Sequence, residues 1–267
     1  MVRRILGLCL ILIGLLLGGE AQAGVLAERL AQFPDWESKP AVTVAEGDLV
    51  YPAWMEGTWS VTSTLTEQIA PLAPEVVTPG FESNRRYLNQ PVRFQVRFQK
   101  VNPSLSAIRD RFLSVPTQNL KRGRESSVVV ADREFNGLNI AKAYLGDRAV
   151  RSVKVDPDSP NRQITALRSE RQLISVVTAR GAEIPKSDRF IATEITHQFF
   201  RGTPQPYFNE VETTTSYQFL PSPRSIEAWQ VTAVYLSPQD PNYFKALERP
   251  VALYRYRLEL EPIKYTD

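Results

Sequence analysis

The chain has 267 residues, 43% of them hydrophobic, which suffices for one large domain with its own core. Its 32 basic and 29 acidic residues leave a net charge of +3, too close to balance for a nucleic-acid-binding footprint. A single cysteine, Cys9, excludes internal disulfides, zinc ribbons and iron–sulfur clusters.

The chain opens with Arg3 and Arg4, an apolar run over 5–17, then Gly18, Gly19, Glu20 and the small-residue tripeptide Ala21-Gln22-Ala23. A basic start, a short apolar stretch and an A-x-A site predict a signal peptide over 1–23, cleaved after Ala23. A spanning helix needs about 20 apolar residues, and this run is shorter and glycine-broken. The paired arginines leave general secretory and twin-arginine export both open. Cys9 lies inside the apolar run, so the mature chain would carry no thiol.

Residues 24–50 read as an N-terminal arm. It has a short helix over 24–33, with Val25, Leu26, Leu30 and Phe33 on one side and Pro34 as its stop. Residues 51–267 read as a β-barrel domain, because the dominant period becomes two. Strict alternation sets Val92, Phe94, Val96 and Phe98 against Arg93, Gln95, Arg97 and Gln99, the signature of a strand with one buried face. The pattern recurs at Val211, Thr213, Thr215, Tyr217 and Phe219. It appears again at Trp229, Val231, Ala233 and Tyr235, and at Tyr254, Tyr256, Leu258 and Leu260. Further strands are predicted over 59–69, 126–130, 150–155, 163–167, 173–179 and 190–200. Turns are predicted at 156–161, Arg180-Gly181, 201–206 and 221–223. One short helix is expected over 138–145, closed by Gly146. Residues 102–121 fit either a short helix or an irregular strand. Many short strands joined by turns predict an all-β, antiparallel up-and-down barrel.

Dinucleotide-binding, phosphate-loop, zinc-protease and nucleophile-elbow motifs are all absent. His197 is the only histidine, on the same predicted face as Ile191, Ile195 and Phe199, an internal face where a satisfied core group or a ligand contact are the two readings. Glu194 has the opposite parity, so the two form no acid–base pair within one strand. Lys121, Arg122 and Arg124 read as a solvated loop or as a phosphate or anionic-lipid site.

The segment Tyr51-Pro52-Ala53-Trp54-Met55-Glu56-Gly57-Thr58-Trp59 resembles the G-x-W signature of lipocalins and the wider calycin group. The resemblance implies that Gly57 turns the chain into the first barrel strand. It also implies that Trp59 closes one end, with Arg255 or Arg257 as the stacking cation. A second resemblance covers nearly all the mature chain, through Leu26-Ala27-Glu28-Arg29-Leu30, the Tyr51–Trp59 segment and the proline-stiffened stretch from Ala70 to Glu82. It is to an uncharacterised family of cyanobacteria and plant chloroplasts that carries only a domain-of-unknown-function label. That implies a thylakoid-lumen or periplasmic location in a photosynthetic organism, and no activity.

The expected fold is thus a lipocalin-like barrel with one short helix and an N-terminal arm. The expected function is non-catalytic binding of a lipophilic small molecule (a lipid, quinone or pigment) by Phe94, Val96, Phe98, His197, Tyr217, Phe219, Trp229 and Val231, with no metal or cofactor. The alternative is an assembly or stability factor docking on a photosynthetic membrane complex, its barrel filled solid. A calycin-type enzyme is a third. The apolar stretch 70–81 either covers the barrel mouth or packs on the outside.

Overall fold

The computed structural model describes residues 24–102, 127–202 and 206–263. The predicted signal peptide with Cys9, the ambiguous stretch up to residue 121 and the basic cluster Lys121, Arg122 and Arg124 lie outside the described residues. In chain order, helix α1 (Val25–Ala31) precedes β1 (Thr43–Val44), β2 (Val50–Tyr51), a 3-10 turn (Ala53–Met55) and β3 (Gly57–Ile69). The short helix α2 (Phe81–Asn84), β4 (Pro91–Val101), β5 (Val128–Ala131) and helix α3 (Arg133–Leu145) follow. Then come β6 (Val150–Asp156), β7 (Ser159–Leu167), β8 (Gln172–Lys186), β9 (Arg189–Arg201), β10 (Tyr207–Pro221) and β11 (Arg224–Leu236). Helix α4 (Tyr243–Ala246) and β12 (Ala252–Pro262) end the described chain. Among the described residues, no helix is long and apolar enough to cross a membrane.

Eleven strands form one curled antiparallel half-barrel in the order β2-β5-β4-β3-β12-β11-β10-β9-β8-β7-β6, with β1 paired to β8 outside this path. β6 to β12 run as a meander, β12 pairs back to β3, and β4 and β5 continue outward. The path therefore ends at β2 and β6, with a break between them, and consecutive strands β5 and β6 are not paired. Helix α3 connects those strands and fills the break, packing on β4 to one side and on β6 and β7 to the other.

Three local differences from the sequence expectation have plain causes. α3 starts five residues earlier than expected because Asp132 caps it, its side chain accepting from the Phe135 amide. Gly181 lies inside β8, not in a turn: a Cβ there would stand 2.9 Å from Val42 Cγ1, so the glycine serves the close approach of the arm. β7 begins inside the predicted 156–161 turn, because Asp156 pairs with Ser159 across a two-residue connection.

The pleat sets two buried faces. Inside the curl, Trp59, Val61, Val96, Phe98, Phe190, Ile226, Leu258 and Leu260 form the main core. On the outside, α1 and the following arm cover Val231, Ala233, Tyr235 and Leu253 with Trp36, Leu30 and Phe33. That cover is pinned by Glu212, which is fully buried. The Arg29 guanidinium donates to both its oxygens at 2.6 and 2.7 Å, and the Tyr235 hydroxyl donates to it at 2.8 Å.

Candidate functional site

A cavity of about 280 Å³ lies inside the curl, beneath α3. Its lining follows from strand pairing. On β3 and β4, Val61 faces Phe94; on β12 and β3, Leu258 faces Ser63 and Leu260 faces Val61; on β10 and β11, Tyr217 faces Ala228. The roof is one helical stripe, Asn136, Ile140 and Tyr144, spaced four residues apart on α3. Val61, Phe94, Val96, Phe98, Leu258 and Leu260 make the apolar wall. Ser63, Gln230, Thr232 and the tyrosines at 51, 144, 217 and 256 supply polar groups.

The phenols are held neutral. Burial raises Tyr217 to about 12 and holds Tyr51 and Tyr256 well above the usual phenol range, with neighbouring Tyr217 and Glu194 adding to the effect at Tyr51. Burial also raises Tyr144, although a hydrogen bond with Ser63 works the other way, the two hydroxyls lying 3.3 Å apart.

Behind Tyr51 and Tyr217 stands an ion cluster. Glu194 on β9 lies 2.8 Å from Arg133, the first residue of α3, and 3.0 Å from Arg180 on β8. Arg133 also reaches Asp48 at 3.3 Å. Arg180 donates to the Gly47 carbonyl at 2.6 Å and to Asn161 Oδ1 at 2.5 Å. Its Nε is buried without a hydrogen-bond partner. Desolvation lowers the Arg180 pKa. Desolvation is also the largest effect on Arg133, but the charge and hydrogen bond of Glu194, with Tyr51 and Asp48, together outweigh it and the net shift is upward. The cluster thus ties the roof helix to the opposite wall.

The sequence-derived site residues divide sharply. Phe94, Val96, Phe98 and Tyr217 line the cavity together. Phe219 shares their face but sits below it, stacked on Trp54 at 5.4 Å. Trp229 and Val231 point the other way: Val231 is buried under the arm and Trp229 is 43% exposed. On β11 the larger apolar side chains face the arm, and Gln230 and Thr232 face the cavity, which corrects the expected orientation. His197 also lies on the outer face, opposite Glu210, with Nε2 3.4 Å from that carboxylate. Glu194, set aside in the sequence for its parity, is the residue that points inward.

At the closed end Gly57, at φ +129°, opens β3, and Trp59 is fully buried with its Nε1 donating to the Met55 carbonyl at 2.8 Å. The guanidinium over its ring belongs to Arg224, 4.9 Å from the centroid. Arg255 and Arg257 do not supply it. They project outward, Arg255 to Glu67 and over Trp229, Arg257 to Glu259, because odd-numbered β12 residues face away from the curl. At the other end the stretch after β3 packs on the sheet, burying Val76 against Leu236 and Val251 and Phe81 against Leu65 and Tyr254.

A family model described as "Domain of unknown function (DUF6816)" matches residues 43–264. The chain belongs to this family. The DUF6816 match begins at β1 and takes in every strand of the sheet, leaving α1 and the start of the arm outside it. No curated protein and no solved structure matches the chain.

Proposed function

We propose that this DUF6816 protein is an exported, non-catalytic binding protein for a small, neutral, lipophilic molecule that carries a hydrogen-bond acceptor. The cavity carries the proposal. Interiors normally pack with few voids larger than a water molecule. Here a half-open cavity of about 280 Å³ stands over an apolar wall that is not packed against other side chains. Water in it finds partners at Ser63, Gln230, Thr232 and the tyrosines, but none along the wall of Val61, Phe94, Val96, Phe98, Leu258 and Leu260. A mostly apolar ligand with one or two polar atoms matches both parts of that lining.

Size narrows the class. Scaling from benzene in a cavity of about 150 Å³, the space takes on the order of ten heavy atoms. A one- or two-ring quinone meets that limit, whereas a whole tetrapyrrole or a two-chain lipid exceeds it. The Tyr51 and Tyr256 hydroxyls make no hydrogen bond among the described residues, and protonated phenols beside Arg133 suit a carbonyl oxygen. Export rests on the predicted signal peptide, and a thylakoid-lumen or periplasmic location on the photosynthetic-family resemblance. Pairing of the first long strand, β3 with its Gly57 and Trp59, to the last strand supports kinship with calycin barrels.

A second proposal, docking on a membrane complex, is favoured by Phe244 and Leu247 of the α4 region, 82% and 55% exposed. Native mass spectrometry with organic extraction of the protein from its host tests both. A co-purifying small molecule supports the cavity proposal. A co-purifying subunit on a chain free of small molecules replaces it with docking.

A further inference from the structure

Just beyond the C-terminus of α3, Asp147, Arg148, Val150, Arg151, Arg168 and Ser169 line an open groove that shares no residue with the cavity lining. Three exposed arginines line it, and none has a carboxylate within 4.0 Å of its guanidinium among the described residues. Asp147, on the rim, is turned toward Lys142 at 3.9 Å.

The backbone that delivers these side chains is irregular at each point. Arg151 occupies a bulge, since Val150 pairs with Leu167 and Ser152 with Ala166, leaving it as the extra residue. Bulges at sheet edges re-aim side chains, and β6 is the free end of the sheet path. In the β7–β8 connection Ser169 and Glu170 both hold left-handed conformations, at φ +58° and +57°. Non-glycine residues persist there only where the surroundings impose it. Here the Arg168 amide donates to the Ala149 carbonyl at 2.9 Å, tying the connection to the chain leaving α3. From below, Gly202 presses so close that a Cβ would stand 2.6 Å from the Glu170 carbonyl oxygen. The fold therefore places three arginines and a single carboxylate, Asp147, around one groove.

We propose that this groove binds an oxyanion of the phosphate class, as the free ion or as the headgroup of an acidic lipid. Guanidinium forks match tetrahedral oxyanions in bidentate geometry, and the Ser169 hydroxyl adds a donor. The test titrates the purified protein with inorganic phosphate by calorimetry and sediments it with phosphatidylglycerol or phosphatidylcholine vesicles. Binding to phosphate assigns the free ion, and binding to phosphatidylglycerol vesicles alone assigns the headgroup. In either case Arg151→Gln with Arg168→Gln should weaken it at least about tenfold, while the exposed Arg93→Gln on β4 should not. Absence of binding to both probes, or an equal loss in Arg93→Gln, overturns the assignment.

Discussion

Replacing Glu194 with alanine should leave Arg180 without a carboxylate and Arg133 with Asp48 alone, and so loosen the roof of the cavity. The carboxylate lies 2.8 Å from Arg133 and 3.0 Å from Arg180, whose side chains are 17% and 10% exposed. At an effective dielectric constant of about 20, each such contact is worth roughly 5 kcal/mol before desolvation. The expected net loss is about 3–5 kcal/mol, the cost of removing one partner from a buried pair. In a domain of this size that lowers Tm by on the order of 10 °C. Arg133→Ala should cost about half as much, because Glu194 keeps Arg180, and Arg180 keeps the Gly47 carbonyl and Asn161. Thermal unfolding followed by far-ultraviolet circular dichroism, with urea unfolding for the free energies, measures both variants. A Glu194→Ala shift under about 2 °C, or a larger shift in Arg133→Ala, would refute the reasoning, since the cluster would then be effectively solvated.

Trp59→Ala should cost about 3–5 kcal/mol in urea unfolding. Arg224→Ala should cost about 1 kcal/mol through its ring contact and its bond to the Glu56 carbonyl, and Arg257→Ala next to nothing. Glu212→Ala should release the arm, leaving Arg29 unpaired under the sheet, and limited trypsin digestion should cut within 25–39 far faster than in the parent protein. Tyr217 has a folded pKa of about 12, above its unfolded value near 10, so its contribution is complete below pH 10 and lost as pH rises through 12. Tyr217→Phe should therefore reduce the fall in stability between pH 9 and 11 by about 1.4 kcal/mol in all, read from urea midpoints at those two pH values.

The strands were legible wherever one face alone is apolar. β4 and β12 alternate cleanly because their outer residues, Arg93, Gln95, Arg257 and Glu259, meet solvent, so parity and burial agree. β11 is buried on both faces. Val231, Ala233 and Tyr235 meet the arm, and no local pattern shows that a helix some 200 residues earlier covers them. The same cover misplaced His197 and hid Glu194, whose inward direction follows from register with β10. Trp59 announced itself by size and its glycine, but its cation comes from the β10–β11 turn, where closure of the sheet brings Arg224 over the ring. Gly181 shows the ambiguity of glycine: close approach and turning leave the same mark. α3 showed no apolar stripe because its inward residues, Asn136, Ile140 and Tyr144, face a cavity, where packing places little demand on them.

Calorimetric titration with naphthoquinone, a neutral two-ring acceptor of about twelve heavy atoms, tests the cavity most directly. The Ala131→Phe variant sets a ring into the same space from β5. The parent protein should bind one equivalent, and Ala131→Phe should abolish binding while holding or raising Tm, as cavity-filling substitutions do. Binding that survives Ala131→Phe, or no binding by a parent protein with Ala131→Phe equally stable, would contradict a ligand beneath α3.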